Sequence, residues 1–283
     1  MRILTLLYIF LFSATLTAQP IRFAKPDIRI SLTVSQSMSD DWRAGVTKTL
    51  EAASALDFRE RIHIDTLLLK IQFKYAAGML YKKDEKNNRE TAMPTDNRLF
   101  GEGVLTYPIG WKLDPFFSAS FNTQITESFR MVGENREATA SLWDPVTAIQ
   151  SWGFEYSRRK AKDNLSSRIG FSLKQNRAFH YTKLTDDRLT LDIKERWKTE
   201  SGIQWKTDIT WQIDSSTNYR GMIDLYGTFD DMSKWTVKWT NEFKIIVYAH
   251  IGILAKLDLF YDEKQAVYTQ YKQALRFGVI ADF

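Results

Sequence analysis

Three histidines, His63, His180 and His250, are all the imidazole this sequence has, and it contains no cysteine. No histidine has another three or four positions away, so local spacing builds neither a helical His pair nor a thiolate zinc centre. The lack of cysteine also excludes a disulfide framework and a lipid-modified cysteine anchor. A serine hydrolase of the His-x-Ser type lacks its motif, because His250 is followed by Ile251-Gly252 and His180 by Tyr181-Thr182. Asp186-Asp187 with His180 is the one grouping that could serve paired-carboxylate hydrolysis, although acidic pairs in loops are ordinarily just solvated. Gly101-Glu102-Gly103 sits within a strand pattern with no helix after it, so it is no phosphate cradle. Asp230-Asp231 reads as a polar hairpin tip, with calcium binding as the alternative. The densest basic run, Arg158-Arg159-Lys160 with Lys162, reads as a solvated turn and not a nucleic-acid site. The expectation is therefore a chain without catalytic, cofactor-binding or metal-ligating residues.

The elements that carry these residues alternate with a period of two. Leu67, Leu69, Ile71, Phe73, Tyr75, Ala77, Met79 and Tyr81 form one row, opposite Lys70, Gln72, Lys74, Ala76 and Gly78. Ile203, Trp205, Thr207, Ile209, Trp211 and Ile213 oppose Gly202, Gln204, Lys206, Asp208, Thr210 and Gln212. Ile251, Ile253, Ala255, Leu257, Leu259 and Tyr261 oppose Gly252, Leu254, Lys256, Asp258 and Phe260. Such rows outrun the usual soluble strand of about 5–6 residues and reach the ~9–11 that a tilted membrane strand requires. The chain is rich in aromatics (9 Trp, 12 Tyr, 18 Phe) yet its mean hydropathy is only -0.34, as expected where half of each strand is polar. The net charge of +5 is spread along the chain.

Strand patterns cover residues 28–36, 45–57, 65–81, 96–107, 113–129, 146–157, 165–177, 197–213, 218–229, 234–246, 249–262 and 270–283. This predicts an all-β fold, a transmembrane antiparallel up-and-down barrel of about 12 strands. The three longest connections, 82–95, 130–145 and 178–196, fall at alternate turns and hence on one side; the intervening 108–112 and 158–164 are short. With both termini periplasmic, the long loops face outward. Between Phe243 and His250 no Gly or Pro marks a turn, and strand length alone places one near Val247-Tyr248. Residues 21–36 read either as the first strand or as a periplasmic segment. Trp111, Trp152, Trp197, Tyr219, Trp235 and Tyr261 near strand ends fit interfacial girdles or ordinary cross-strand packing.

Residues 1–18 read as a signal peptide: Arg2, an apolar run from Ile3 to Phe12, then Leu16-Thr17-Ala18 ahead of Gln19-Pro20. Residues 19–283 are then the barrel domain. At the other end, Arg276, Gly278, Ala281 and Phe283 resemble the assembly signal of bacterial outer-membrane barrels, with Ala281 where a larger residue is commoner. That likeness implies an outer-membrane location in a Gram-negative envelope, with membrane lipid and the barrel-assembly machinery as partners. Trp42-Arg43-Ala44-Gly45, Phe121-Asn122-Thr123-Gln124, Asp144-Pro145 and Gly153-Phe154-Glu155-Tyr156 resemble DUF3078, a Bacteroidota envelope family of unknown function. Asn241-Glu242, Tyr261-Asp262 and Gln270-Tyr271-Lys272-Gln273 extend the resemblance to the end of the chain. The second half also resembles the DUF481 salt-induced outer-membrane proteins. Neither family implies a reaction or ligand.

A Lys or Arg on the lipid face at mid-bilayer would cost about 2–4 kcal/mol. Lys70, Lys74, Lys206, Asp208, Lys238, Lys256, Asp258 and Arg276 are accordingly expected to face the lumen. Two functional classes follow. One is a porin-like passive channel for small solutes; the other is a non-conducting structural or surface-interaction barrel whose extracellular loops bind. A hydrolase acting from the loops and a soluble periplasmic β protein are the weaker alternatives.

Overall fold

The computed structural model describes residues 21–39, 47–84, 89–132, 135–186, 193–262 and 269–283. The leader expected at 1–18 lies outside them. The strands are β1 (Ile21–Phe23), β2 (Asp27–Ser39), β3 (Thr47–Ile64), β4 (Leu67–Asp84), β5 (Arg89–Thr106), β6 (Asp114–Thr123), β7 (Ser128–Val132) and β8 (Asn135–Ala140). They continue with β9 (Val146–Lys160), β10 (Asp163–Arg177), β11 (Trp197–Gln212), β12 (Thr217–Thr228), β13 (Asp231–Tyr248), β14 (Ile251–Asp262) and β15 (Gln270–Asp282). Each long strand pairs antiparallel with its neighbours, in the order β2-β3-β4-β5-β6-β9-β10-β11-β12-β13-β14-β15. The circle closes where β15 returns to β2, from Phe277 opposite Val34 to Asp282 opposite Arg29. The result is a closed, twelve-stranded, antiparallel up-and-down barrel. Closure pairs every edge, which a spanning sheet requires because lipid offers no hydrogen bonds to a free edge.

Register turns the sequence alternation into two surfaces. Leu32, Val34, Phe117, Trp152, Phe171, Trp205, Trp239, Leu275 and Phe277 are exposed on the outside. Arg29, Glu155, Arg168, Lys206 and Arg276 are buried within. A water-soluble protein would invert this, and an exposed apolar girdle of this extent marks a lipid-facing wall. Glycines sit where neighbouring backbones leave no room: a Cβ on Gly153 would lie 2.1 Å from the Ile169 carbonyl oxygen across the ladder. Outside, Phe121 lies over Gly101 and Trp235 over Gly227, so the aromatic ring restores the apolar wall that glycine leaves open.

Three expectations are corrected. The connection expected at 82–95 shrinks to residues 85–88, because β4 runs to Asp84 and β5 starts at Arg89. These strands are 18 residues long and outrun the bilayer. Beyond it both faces meet water, so hydropathy ceases to alternate while the ladder continues. The strand expected over 113–129 ends at Thr123, and the connection after it folds into its own hairpin, β7 on β8. The turn expected near Val247-Tyr248 lies at Ala249-His250, where Ala249 takes a φ of 48°. Residues 27–39 form the first barrel strand, while β1 pairs separately with the end of β3. The connections following β6 and β10 are on one rim. The short turns 65–66, 161–162 and 249–250 are on the other, with Ile28 and Phe283 exchanging backbone hydrogen bonds there.

Candidate functional site: the charged lumen

Inward-facing positions on every wall bring ionisable side chains to the axis, and many meet across it. On the short-turn side, Arg220 of β12 donates to Asp57 of β3 at 2.9 Å and to Asp27 of β2 at 2.8 Å. β12 and β3 are five strands apart around the circle, so this contact nearly spans the lumen. Beside it Arg29 donates to Glu242 and Asp282, both at 2.7 Å, and to Asn218 at 3.0 Å. Lys244 also pairs with Asp282. Arg61 reaches Asn164 on β10 at 2.9 Å.

Midway along the barrel, Glu102 of β5 accepts from Lys206 of β11 at 2.9 Å and from Arg168 of β10 at 3.2 Å. Arg168 also approaches Asp208 at 3.4 Å. On the adjoining wall, Glu155 is gripped by Lys70 at 2.5 Å, Ser166 at 2.6 Å and Thr106 at 2.7 Å. Nearer the loop side, Arg276 bonds Glu51 and Asp96, each at 2.6 Å, and Lys272 joins it on Asp96. Charges removed from bulk water need partners and saturated hydrogen bonds. A lumen lined with both signs supplies them by reaching across, or along one strand as in Lys256 with Asp258.

Among the described residues, two larger cavities flank these ion pairs. One of about 730 Å³ lies on the loop side, among Arg98, Phe100, Lys174, Leu184, Tyr226 and Lys238. The other, about 180 Å³, lies on the short-turn side among Lys25, Asp27, Arg61, Glu155 and Asn164. Glu102 borders both, so its ion pairs form the wall between them.

Lys70, Lys206, Asp208 and Arg276 take part in these pairs. Lys256 and Asp258 pair on β14 at 3.3 Å, Lys74 lies in the field of Asp57, and Lys238 lines the larger cavity. Gly278 passes so close to β2 that a Cβ there would lie 2.1 Å from the Leu32 carbonyl oxygen. Ala281 pairs with Ile30, and Phe283 donates its backbone N–H to Ile28 at 2.9 Å, where β15 closes on β2. Sequence reading missed Glu102, Glu155, Arg168, Arg29, Asp57 and Arg98. On β5 the inward row is Arg98, Phe100, Glu102 and Val104, against Leu99, Gly101, Gly103 and Leu105 outside. Hydropathy does not separate these faces. The pairing of Glu102 with Gln72 and Ser120 on the flanking strands does.

The acid beside His180 is Asp144, whose carboxylate accepts from the backbone N–H groups of Phe179 and His180, each at 2.8 Å. Asp186 lines the larger cavity, and Asp187 lies outside the described residues. Burial pushes the Asp144 carboxyl upward. The N–H groups of Phe179 and His180 outweigh that and hold it below its ordinary 3.8. This bond ties the connection after β6 to the one after β10. His63 is the penultimate residue of β3, and His250 lies in a turn. Asp231 meets Ser233 and Lys234 at its hairpin.

The family model described as a protein of unknown function, DUF3078, matches residues 34–129, a stretch reaching from β2 into β7. No curated protein matches the chain. Among solved structures, the translocator domain of the autotransporter NalP from Neisseria meningitidis is 9% identical. It aligns over 99% of this chain and 95% of its own, with a TM-score of 0.39. The COG4313 outer membrane channel from Pseudomonas putida F1 is 11% identical, over 91% and 95%, at 0.40. The beta domain of the Bordetella autotransporter BrkA is 10% identical, over 91% and 98%, at 0.34. The fold stated above rests on the closed ladder itself.

Proposed function

We propose that this chain is an outer-membrane barrel, without enzymatic chemistry, whose lumen is closed at rest and whose loop-side vestibule is its working surface. The observation that carries this reading is the set of ion pairs spanning the lumen at two depths. Arg220 reaches Asp57 and Asp27 near the short turns, and Arg168 and Lys206 hold Glu102 midway. A hydrated ion entering from the loop side would have to part charges that are already paired and largely desolvated. The lipid-facing aromatic wall and the closed ladder support the membrane setting.

The test is single-channel recording of the refolded full-length barrel in a planar bilayer, with heat-modifiable migration confirming folding. A silent trace is expected. Discrete, ion-selective steps would overturn the closed reading and make passive permeation of small solutes the function.

A further inference from the structure

Lys238 stands on β13 and Arg98 on β5, six strands apart in a ring of twelve, so the two cations face each other from opposite walls. Both line the cavity of about 730 Å³. Neither has a carboxylate within ion-pairing distance among the described residues, unlike the tightly paired Lys206 and Arg168 beneath them. Arg98 gives its Nε to Asn122 Oδ1 at 2.8 Å, and its guanidinium lies 5.0 Å from the Phe100 ring centre. Asp224 stands opposite Lys238 across the β12–β13 ladder and accepts from Gln204 at 2.8 Å, and Asp258 pairs with Lys256 at 3.3 Å; neither comes within ion-pairing distance of Lys238 or Arg98.

We propose that Arg98 and Lys238 are the two jaws of a binding site for a small organic anion at the base of the loop-side vestibule. Its acidic head, a carboxylate, sulfate or phosphate, would lie between the guanidinium and the ammonium. It would thereby set a negative charge between two cations held on opposite walls. The remaining lining is mixed. Phe100, Ile149, Leu184, Tyr226 and Phe260 offer apolar surface for a hydrocarbon or aromatic body, the combination that characterises small-ligand cavities. Lys174 and Lys198 are each paired with Glu200 at 3.6 Å, and Asp186, Asp224 and Asp262 also line the cavity, but its Lys and Arg side chains outnumber its carboxylates, which favours the approach of an anion.

The inference rests on the closed-lumen reading, since the base of an open pore would be a passage and not a site. The test is calorimetric titration of the refolded full-length barrel with benzoate and with inorganic phosphate, against benzylamine as the cationic control. Wild type is expected to bind benzoate and not benzylamine, with phosphate weaker because it leaves the apolar lining unused. Lys238→Met and Arg98→Met, each confirmed folded by heat-modifiable migration, should each weaken benzoate by about tenfold or more, as the loss of a charge-assisted hydrogen bond implies. Equal binding of benzoate and benzylamine, or benzoate binding unchanged in both variants, would overturn the proposal. Conductance of the same preparation separates the two failures. A silent barrel that ignores benzoate sinks the anion site alone, whereas a conducting barrel sinks the closed lumen on which it rests.

Discussion

Removing the Glu102 carboxylate is the sharpest perturbation of the lumen. Lys206 and Arg168 both converge on it, and the side chains of Glu102, Arg168 and Lys206 are only 9%, 6% and 8% exposed. Glu102→Ala would leave two buried cations with Asp208, 3.4 Å from Arg168, as the acid still within ion-pairing distance. Breaking one side of a buried ion pair costs about 3–5 kcal/mol, because the surviving charge stays desolvated without compensation. Water from the two adjoining cavities would hydrate the orphaned cations in part, so the lower end, about 3 kcal/mol, is expected. Urea unfolding of the barrel refolded into lipid vesicles, followed by tryptophan fluorescence, measures this directly. The variant Glu102→Ala/Arg168→Met/Lys206→Met is the control. Replacing the whole cluster by apolar residues removes both the attraction and the desolvation cost, and should recover most of the loss. A single variant within about 1 kcal/mol of wild type would refute the argument, for it would mean that water already screens the cluster as it screens surface pairs.

Deleting Phe283, whose N–H bonds to Ile28 at the closing seam, should lower the amount of heat-modifiable barrel in outer membranes; normal amounts would count against the assembly role of Arg276, Gly278, Ala281 and Phe283. Gly153→Val should prevent stable barrel formation, because its Cβ would collide with the Ile169 carbonyl; a folded variant of normal heat stability would show that the strands can part there. The Asp144 carboxyl is held below its ordinary 3.8 in the folded loops. A depressed folded value means that the stabilisation is complete above the unfolded value and is lost as pH falls through the folded one. The protection of the Phe179 and His180 amides, taken relative to intrinsic exchange at each pH, should therefore be high above about pH 4 and fall beneath it. Asp144→Asn should abolish that pH step, and a step that persists in the variant would assign it elsewhere.

The amino-acid sequence determined the class of fold. Alternation of period two, long enough to cross lipid, marks most of the twelve walls, and the face that hydropathy chooses there is the one that meets lipid. Rows such as Leu67 to Tyr81 are legible because two neighbouring solvents, lipid and a polar lumen, write opposite chemistries on adjacent residues. The signal fades where a single solvent touches both faces, which is why β4 and β5 run past their hydropathy pattern to Asp84 and from Arg89. It fades again on β5, where Phe100 and Val104 point inward beside Glu102. Only the tertiary structure decided what the lumen is. Whether Lys206 meets Glu102, 104 positions away, or water depends on which strands face one another when the ring closes. Curvature and register set that distance, and neither is a local property of the chain. The same holds for Arg98 and Lys238, of which the sequence marked only Lys238 as inward-facing, and which stand opposed only because β5 and β13 lie on opposite sides of the barrel.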